Sequence, residues 1–173
     1  MSLFVVDVES DGLIIGKHSM ICFGVVKLTP ELDITFYGKI KPIFNEYVPK
    51  NLAISGISRE EHLGFDDPII VMQDFAKWLK EHSHGRPILI SDNNGYDASW
   101  INYYFLVYNN GNNPFGWSSR RISDLYCGMV KDTWAQWKQL RVTKHSHMPL
   151  DDAKGNAEAL LKMKEMGLKI DTK

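Results

Sequence analysis

Along the first forty residues, short apolar runs are broken by polar turns at strand-like spacing. Residues 3–8 are apolar, rich in β-branched side chains, and end at Glu9-Ser10-Asp11-Gly12, which predicts a buried strand entering a turn. Residues 20–28 and 34–40 predict two further strands. Their links are short, so the three should form an antiparallel meander, because parallel neighbours need a crossover of about a dozen residues or more. Beyond them the apolar period lengthens. A helix is predicted over 69–82, with Ile70, Phe75, Trp78 and Leu79 on one face behind Asp66-Asp67-Pro68. A strand follows over 86–91, then a helix over 97–108 carrying Ile101, Phe105 and Tyr108. A helix over 123–137 would start from a Ser123 or Asp124 cap, and a last one spans 150–166 before Gly167. Asn109-Asn110-Gly111-Asn112-Asn113-Pro114 reads as a surface loop, and no internal repeat is visible. Three strands leading into α-β-α units predict an α/β fold, a mixed sheet with helices against its faces.

Composition narrows the class without naming a function. At 173 residues the chain fits one compact domain, residues 1–173, and 44% hydrophobic with 24% charged content argues against disorder and fibrous folds. No apolar run approaches the ~20 residues of a membrane span, and Met1-Ser2-Leu3-Phe4 has no basic leader, so no membrane association and a cytoplasmic location are expected. Cys22 and Cys127 have no partner at metal or redox spacing and are expected to be small core residues. A net charge of −1 does not advertise a nucleic-acid binder. That objection weakens if an acidic site recruits divalent cations, which then meet the phosphate.

Three segments carry candidate chemistry. In Asp7-Val8-Glu9, strand alternation points both carboxylates to one face, and such a pair must be neutralised; oxygen-ligated divalent metal does this. Taken alone, such a pair reads first as solvated acids at a strand end. In Ser91-Asp92-Asn93-Asn94-Gly95-Tyr96-Asp97, an acid sits at a strand-to-helix junction, where Asp92 or Asp97 could instead cap the helix. In His147-Met148-Pro149-Leu150-Asp151-Asp152, Pro149 can preset a first helical turn and both acids lie near its positive end. His147, on the preceding loop, has the intrinsic basicity for taking a proton near neutrality.

The ordered combination of D-x-E on a first strand, an aromatic-Asp pair after a middle strand, and H-x-x-x-x-D at a C-terminal helix resembles the DEDDh, or DnaQ-like, exonucleases, including ribonuclease T, oligoribonuclease and proofreading domains. Ser55-Gly56-Ile57-Ser58-Arg59-Glu60 and Arg121-Ile122-Ser123-Asp124-Leu125 look like lesser family segments. The resemblance implies a ribonuclease H-like fold with a mixed five-stranded sheet, antiparallel in its first three strands. It implies metal ligation by Asp7, Glu9, Asp97 and Asp152, with His147 as general base and two Mg²⁺ or Mn²⁺ ions as cofactors. In the histidine branch four residues separate base from acid, which selects Asp152 over Asp151 and makes His145 a decoy. The expected reaction is 3′-5′ exonucleolytic release of nucleoside 5′-monophosphates. Small free-standing relatives favour single-stranded or 3′-overhanging RNA as partner, with DNA as the alternative and a homodimer open. A silent nucleic-acid-binding module is the reading from outside the enzymes.

The same resemblance makes Ser10, Asp11 and Gly12 candidates for contacting the last sugar. Leu13 or Ile14 would pack on a base, unless that pair is simply a buried turn flank. Trp117, Trp134 and Trp137 could stack on bases or fill the core, while Arg120-Arg121 and Lys138, Arg141 and Lys144 could meet phosphates or line a solvated face. Two departures stand out: Asp92 occupies a place often held by histidine, and Pro149 one often held by alanine. The whole reading requires that folding bring Asp152 beside Asp7 and Glu9, with no lysine or arginine filling the space.

Overall fold

A computed structural model describes residues 1–172 of the chain. Strands β1 (Ser2–Ser10), β2 (Met20–Lys27) and β3 (Thr35–Lys39) form the antiparallel meander, and β4 (Pro87–Ser91) and β5 (Ser119–Arg121) run parallel to β1 on its other side. The sheet order is β3-β2-β1-β4-β5, the mixed five-stranded sheet of a ribonuclease H-like fold. Helices α1 (Pro49–Ile54), α2 (Arg59–Leu63) and α3 (Pro68–His82) lie between β3 and β4, and α4 (Asn94–Tyr108) joins β4 to β5. Next come α5 (Ile122–Val130), a short 3₁₀ turn (Lys138–Leu140) and α6 (Pro149–Glu165). None of these helices is long and apolar enough to cross a membrane.

The central strand shows how the sequence divides its two faces. Phe4, Val6 and Val8 point into a core with Phe75, Leu79, Ile101 and Phe105 of α3 and α4. Leu3 and Val5 point the other way, against Ala153, Ala157 and Leu160 of α6. Period-two alternation therefore puts Asp7 and Glu9 on the α6 face, where acids take over from the apolar series at the strand's carboxyl end. The carboxyl ends of the parallel strands β1 and β4 are neighbours, the usual place for a ligand crevice in an open α/β sheet.

Several expected elements shift. α3 begins at Pro68 with Asp67 accepting from the Ile69 N–H at 2.9 Å, but its buried face is Val71, Met72, Phe75 and Leu79, and Ile70 is exposed. α4 starts three residues ahead of its expected onset, so Asp97 lies within its first turn and caps nothing. The helix expected over 123–137 ends at Val130, where Lys131 adopts a left-handed conformation with φ 59°, and neither Ser123 nor Asp124 caps it. Trp137 is buried against α6, while Trp117 and Trp134 are exposed. Cys22 is buried and Cys127 half-buried.

Candidate active site

Gly24 is what lets the third segment reach the first. It pairs with Asp7 across the β1–β2 ladder, and a Cβ there would lie 2.3 Å from the Leu150 backbone nitrogen. The start of α6 thus descends directly onto the sheet opposite Asp7, carrying Asp152 inward, fully buried, while Asp151 stays exposed. Asp97 arrives from the other side on the first turn of α4 and is 2% exposed. Asp7, Glu9, Asp97 and His147 line one open cleft of about 690 Å³, with Ile54, Tyr96 and Arg121 on its walls.

The electrostatics record this crowding. Burial, then the charges of Asp97, Asp152 and Glu9, hold the Asp7 carboxyl well above the ordinary carboxylate range, against a smaller opposing pull from Arg141. Burial and Asp152 push Glu9 from 4.5 up to about 7, with His145 opposing. Burial likewise pushes Asp97 from 3.8 up to about 7, hydrogen bonds from Ser91 and the Val8 backbone opposing and Asp92 adding to it. Asp97 Oδ2 is buried without a partner. An orphaned carboxylate oxygen between two other strained carboxylates suits a hard divalent cation bound through oxygen, so the donor chemistry fits Mg²⁺ or Mn²⁺. Among the described residues, however, no three acidic, histidine or cysteine side chains already converge into a finished ligand set.

Asp152 is the reason. Its Oδ1 accepts from Arg141 Nη2 at 2.8 Å and the Ser146 N–H at 3.2 Å, and its Oδ2 accepts from the His147 N–H at 2.9 Å. His145 Nδ1 stands 2.8 Å from the same Oδ2. Four partners saturate a carboxylate, so Asp152 can ligate a cation only by exchanging one of them. Arg141 is nearly buried, whereas the His145 side chain is 54% exposed. An arginine therefore does enter the acid cluster, contrary to expectation, but it sits on Asp152, and the cleft before Asp7 and Glu9 stays open. His145, a decoy by its spacing, lines the cleft and reaches Asp152, and Arg141, expected at most to meet phosphate, pairs with Asp152; H-x-H spacing alone gives no signal for either contact.

His147 sits over the cleft with Nδ1 3.6 Å from Glu9 Oε1. Its backbone is left-handed with φ 60°, uncommon outside glycine, and the N–H bond to Asp152 holds it there. Asp92 is paired, its Oδ2 being 2.8 Å from Lys138 Nζ, which accounts for the extra acid and commits that lysine.

The sugar-contact candidates divide. Ser10 is buried and bonds to the Gly12 carbonyl and Tyr96 Oη. Asp11 is fully buried, accepting from the Ser19 N–H at 2.6 Å and from Arg59 Nη1 at 2.9 Å. Both side chains are engaged within the chain. The register shift between Glu9 and Ser10 breaks the alternation that would have kept Asp11 in line with Asp7 and Glu9. Gly12 closes on the His18 ring, leaving no room for a Cβ, and Leu13 and Ile14 are exposed, not a buried flank.

No protein-family model matches the chain. A 3′-5′ DNA exonuclease, Cap18 of Escherichia coli, is 32% identical over 164 residues, covering 88% of this chain and 86% of that protein. Among solved structures, the nuclease domain of 3′hExo, a DEDDh family member bound to rAMP, superposes with a TM-score of 0.77 at 20% identity, covering 98% of this chain and 94% of that one. Cell-death related nuclease 4 gives 0.78 at 18% identity over 96% of this chain and 64% of its own. The ssDNA complex of E. coli ExoI gives 0.69 at 16% identity over 96% and 41%. At these identities the solved structures speak to the fold.

Proposed function

The chain belongs to the DEDDh family of 3′-5′ exonucleases, and on that premise we propose that it removes nucleoside 5′-monophosphates from the 3′ end of single-stranded DNA, using Asp7, Glu9, Asp97, Asp152 and His147. The observation that carries this reading is the cluster of buried, mutually repelling carboxylates at the end of β1, one with an unpartnered oxygen. When bound, two divalent cations would supply activation of the attacking water and stabilisation of the departing 3′ oxygen. Asp7, Glu9 and Asp97 would hold those cations, and Asp152 would join by releasing the exposed His145. His147 takes the proton of the water from its loop beside Glu9. Leu13, exposed beside the first strand, offers an apolar contact for the terminal base, and Gly12 lets the turn pack closely enough to present it.

DNA takes precedence over the RNA substrate suggested by the small free-standing relatives, because the 32% identical relative is named for DNA. RNA is the second reading, favoured by the 3′hExo nuclease domain having been solved with rAMP. Matched 5′-labelled DNA and RNA strands, incubated with Mg²⁺ and separately with Mn²⁺, decide between them. Ladder shortening from the 3′ end with mononucleotide product is the expected result. Cleavage of circular single strands, on which an exonuclease cannot start, would overturn the reading.

A further inference from the structure

His147 stands on a segment, residues 141–147, that has no regular secondary structure, yet its general-base role depends on exact placement. What holds that segment lies on α6. Asp152, Gly155 and Glu158 are spaced three apart and form one slanting ridge of the helix, over which the segment runs. At the near end, Asp152 takes the Arg141 side chain and the Ser146 and His147 N–H groups. In the middle, a Cβ on Gly155 would meet the Thr143 carbonyl at 2.6 Å and Arg141 Nε at 2.5 Å, so the segment lies directly on the helix backbone. At the far end, Glu158 accepts three hydrogen bonds: Oε2 from the Val142 N–H at 2.9 Å and the Thr143 N–H at 2.6 Å, and Oε1 from Thr143 Oγ1 at 2.8 Å. Arg141 closes the loop by donating from Nε to the Thr143 carbonyl at 3.2 Å.

We propose that Glu158, distant from the reacting atoms and absent from the five-residue catalytic set, is a positioning residue that straps the 141–147 segment to α6 and so fixes His147 over the cleft. The inference rests on the exonuclease reading and on His147 as its base. A carboxylate suits the task because one side chain can accept all three donors at once, with a charge-assisted bond at each. The strap runs at one end through Asp152, so the same helix ridge places a cation ligand and the base together.

The test is a double-mutant cycle. Glu158→Ala should lower kcat about 10–100-fold with KM nearly unchanged, since a base misplaced by about an ångström loses roughly that much. In a His147→Ala background, Glu158→Ala should cost nothing further, because residues acting as a unit are non-additive. Glu158→Gln, which keeps an acceptor, should recover part of the loss. Strap release is read independently of activity by limited trypsinolysis after the exposed Lys144, faster in Glu158→Ala than in the parent. Faster trypsinolysis with unchanged kcat overturns the positioning role and leaves the exonuclease reading standing. An equal loss in both backgrounds also overturns it, as that would mark general destabilisation. Undiminished turnover by His147→Ala alone removes the base assignment, and the proposal with it.

Discussion

At the scale of single residues, the cost of gathering acids makes two predictions. In metal-free protein Glu9 keeps its proton to about 7, against 4.5 for the ordinary side chain. The folded state therefore binds more protons across that window, so the stability contribution is full below about 4.5 and is lost as pH rises through about 7, a difference of ~3 kcal/mol for this group. Thermal unfolding in chelator should show a falling midpoint over that range, and Mg²⁺ or Mn²⁺ should restore it. A flat profile would mean that neither burial nor Asp152 perturbs Glu9. The second prediction follows from Asp7, the most heavily loaded acid. Asp7→Asn should abolish hydrolysis, by about 10³-fold or more, yet raise the unfolding midpoint of metal-free protein, because a buried like-charged group is removed. Loss of both activity and stability would contradict the account. Asp7 and Glu9 were legible because alternation along one strand is a local rule, and Asp152 because the family spacing separated it from Asp151. His145 and Arg141 were not legible: their contacts with Asp152 arise from how an irregular segment folds back over a helix, which no spacing encodes. The burial of Asp11 was not legible for a related reason: the register shift before Ser10 leaves no mark in the sequence, and the carboxylate is engaged by the Ser19 N–H and Arg59.

At the scale of elements, the site depends on how closely α6 approaches the sheet. Ala153 and Ala157 let the helix pack near β1 and β2, and Gly24 removes the last obstacle beneath its first turn. Gly24→Val would force backbone at the start of α6 outward, because the atoms it meets are main chain and cannot rotate away. The expected result is a loss of ~1–3 kcal/mol in stability with a larger, separable loss of divalent-cation affinity, measured by denaturant unfolding and Mn²⁺ titration. Unchanged Mn²⁺ binding would show that Asp152 need not approach Asp7. Long periodic elements, β1, β2, α3 and α6, were readable to within a residue or two at each end. The misses were short or context-made. α1 and α2 are too brief to show a helical period, though Ser58 and Glu61 form a complete capping box that local sequence does carry. β5 has three residues and exists as a strand only by pairing with β4. α5 stops at a left-handed lysine, a turn that propensity does not favour.

At the scale of the whole molecule, the puzzle is how a chain of net charge −1 holds a polyanion. Two basic side chains near the site are already committed: Lys138 to Asp92 and Arg141 to Asp152. Arg121 is the cation that both lines the cleft and remains exposed, held only loosely by Asp124 at 3.7 Å and by the Asp92 carbonyl at 3.3 Å. Few phosphates can then be neutralised by side chains, so binding should depend on the divalent cations and on only one or two arginine contacts. With roughly 0.7 of a counterion released per neutralised phosphate on a single strand, the slope of log affinity against log salt should be shallow, about −0.7 to −1.4. Arg121→Ala should flatten it by about 0.7, and chelation should weaken binding far more than that substitution does. Fluorescence anisotropy with a labelled oligonucleotide, using Ca²⁺ to hold the strand without turnover, measures all three quantities. A steep slope that survives chelation would instead require a basic surface elsewhere on the molecule, and the acidic cleft would then not be where the strand is held.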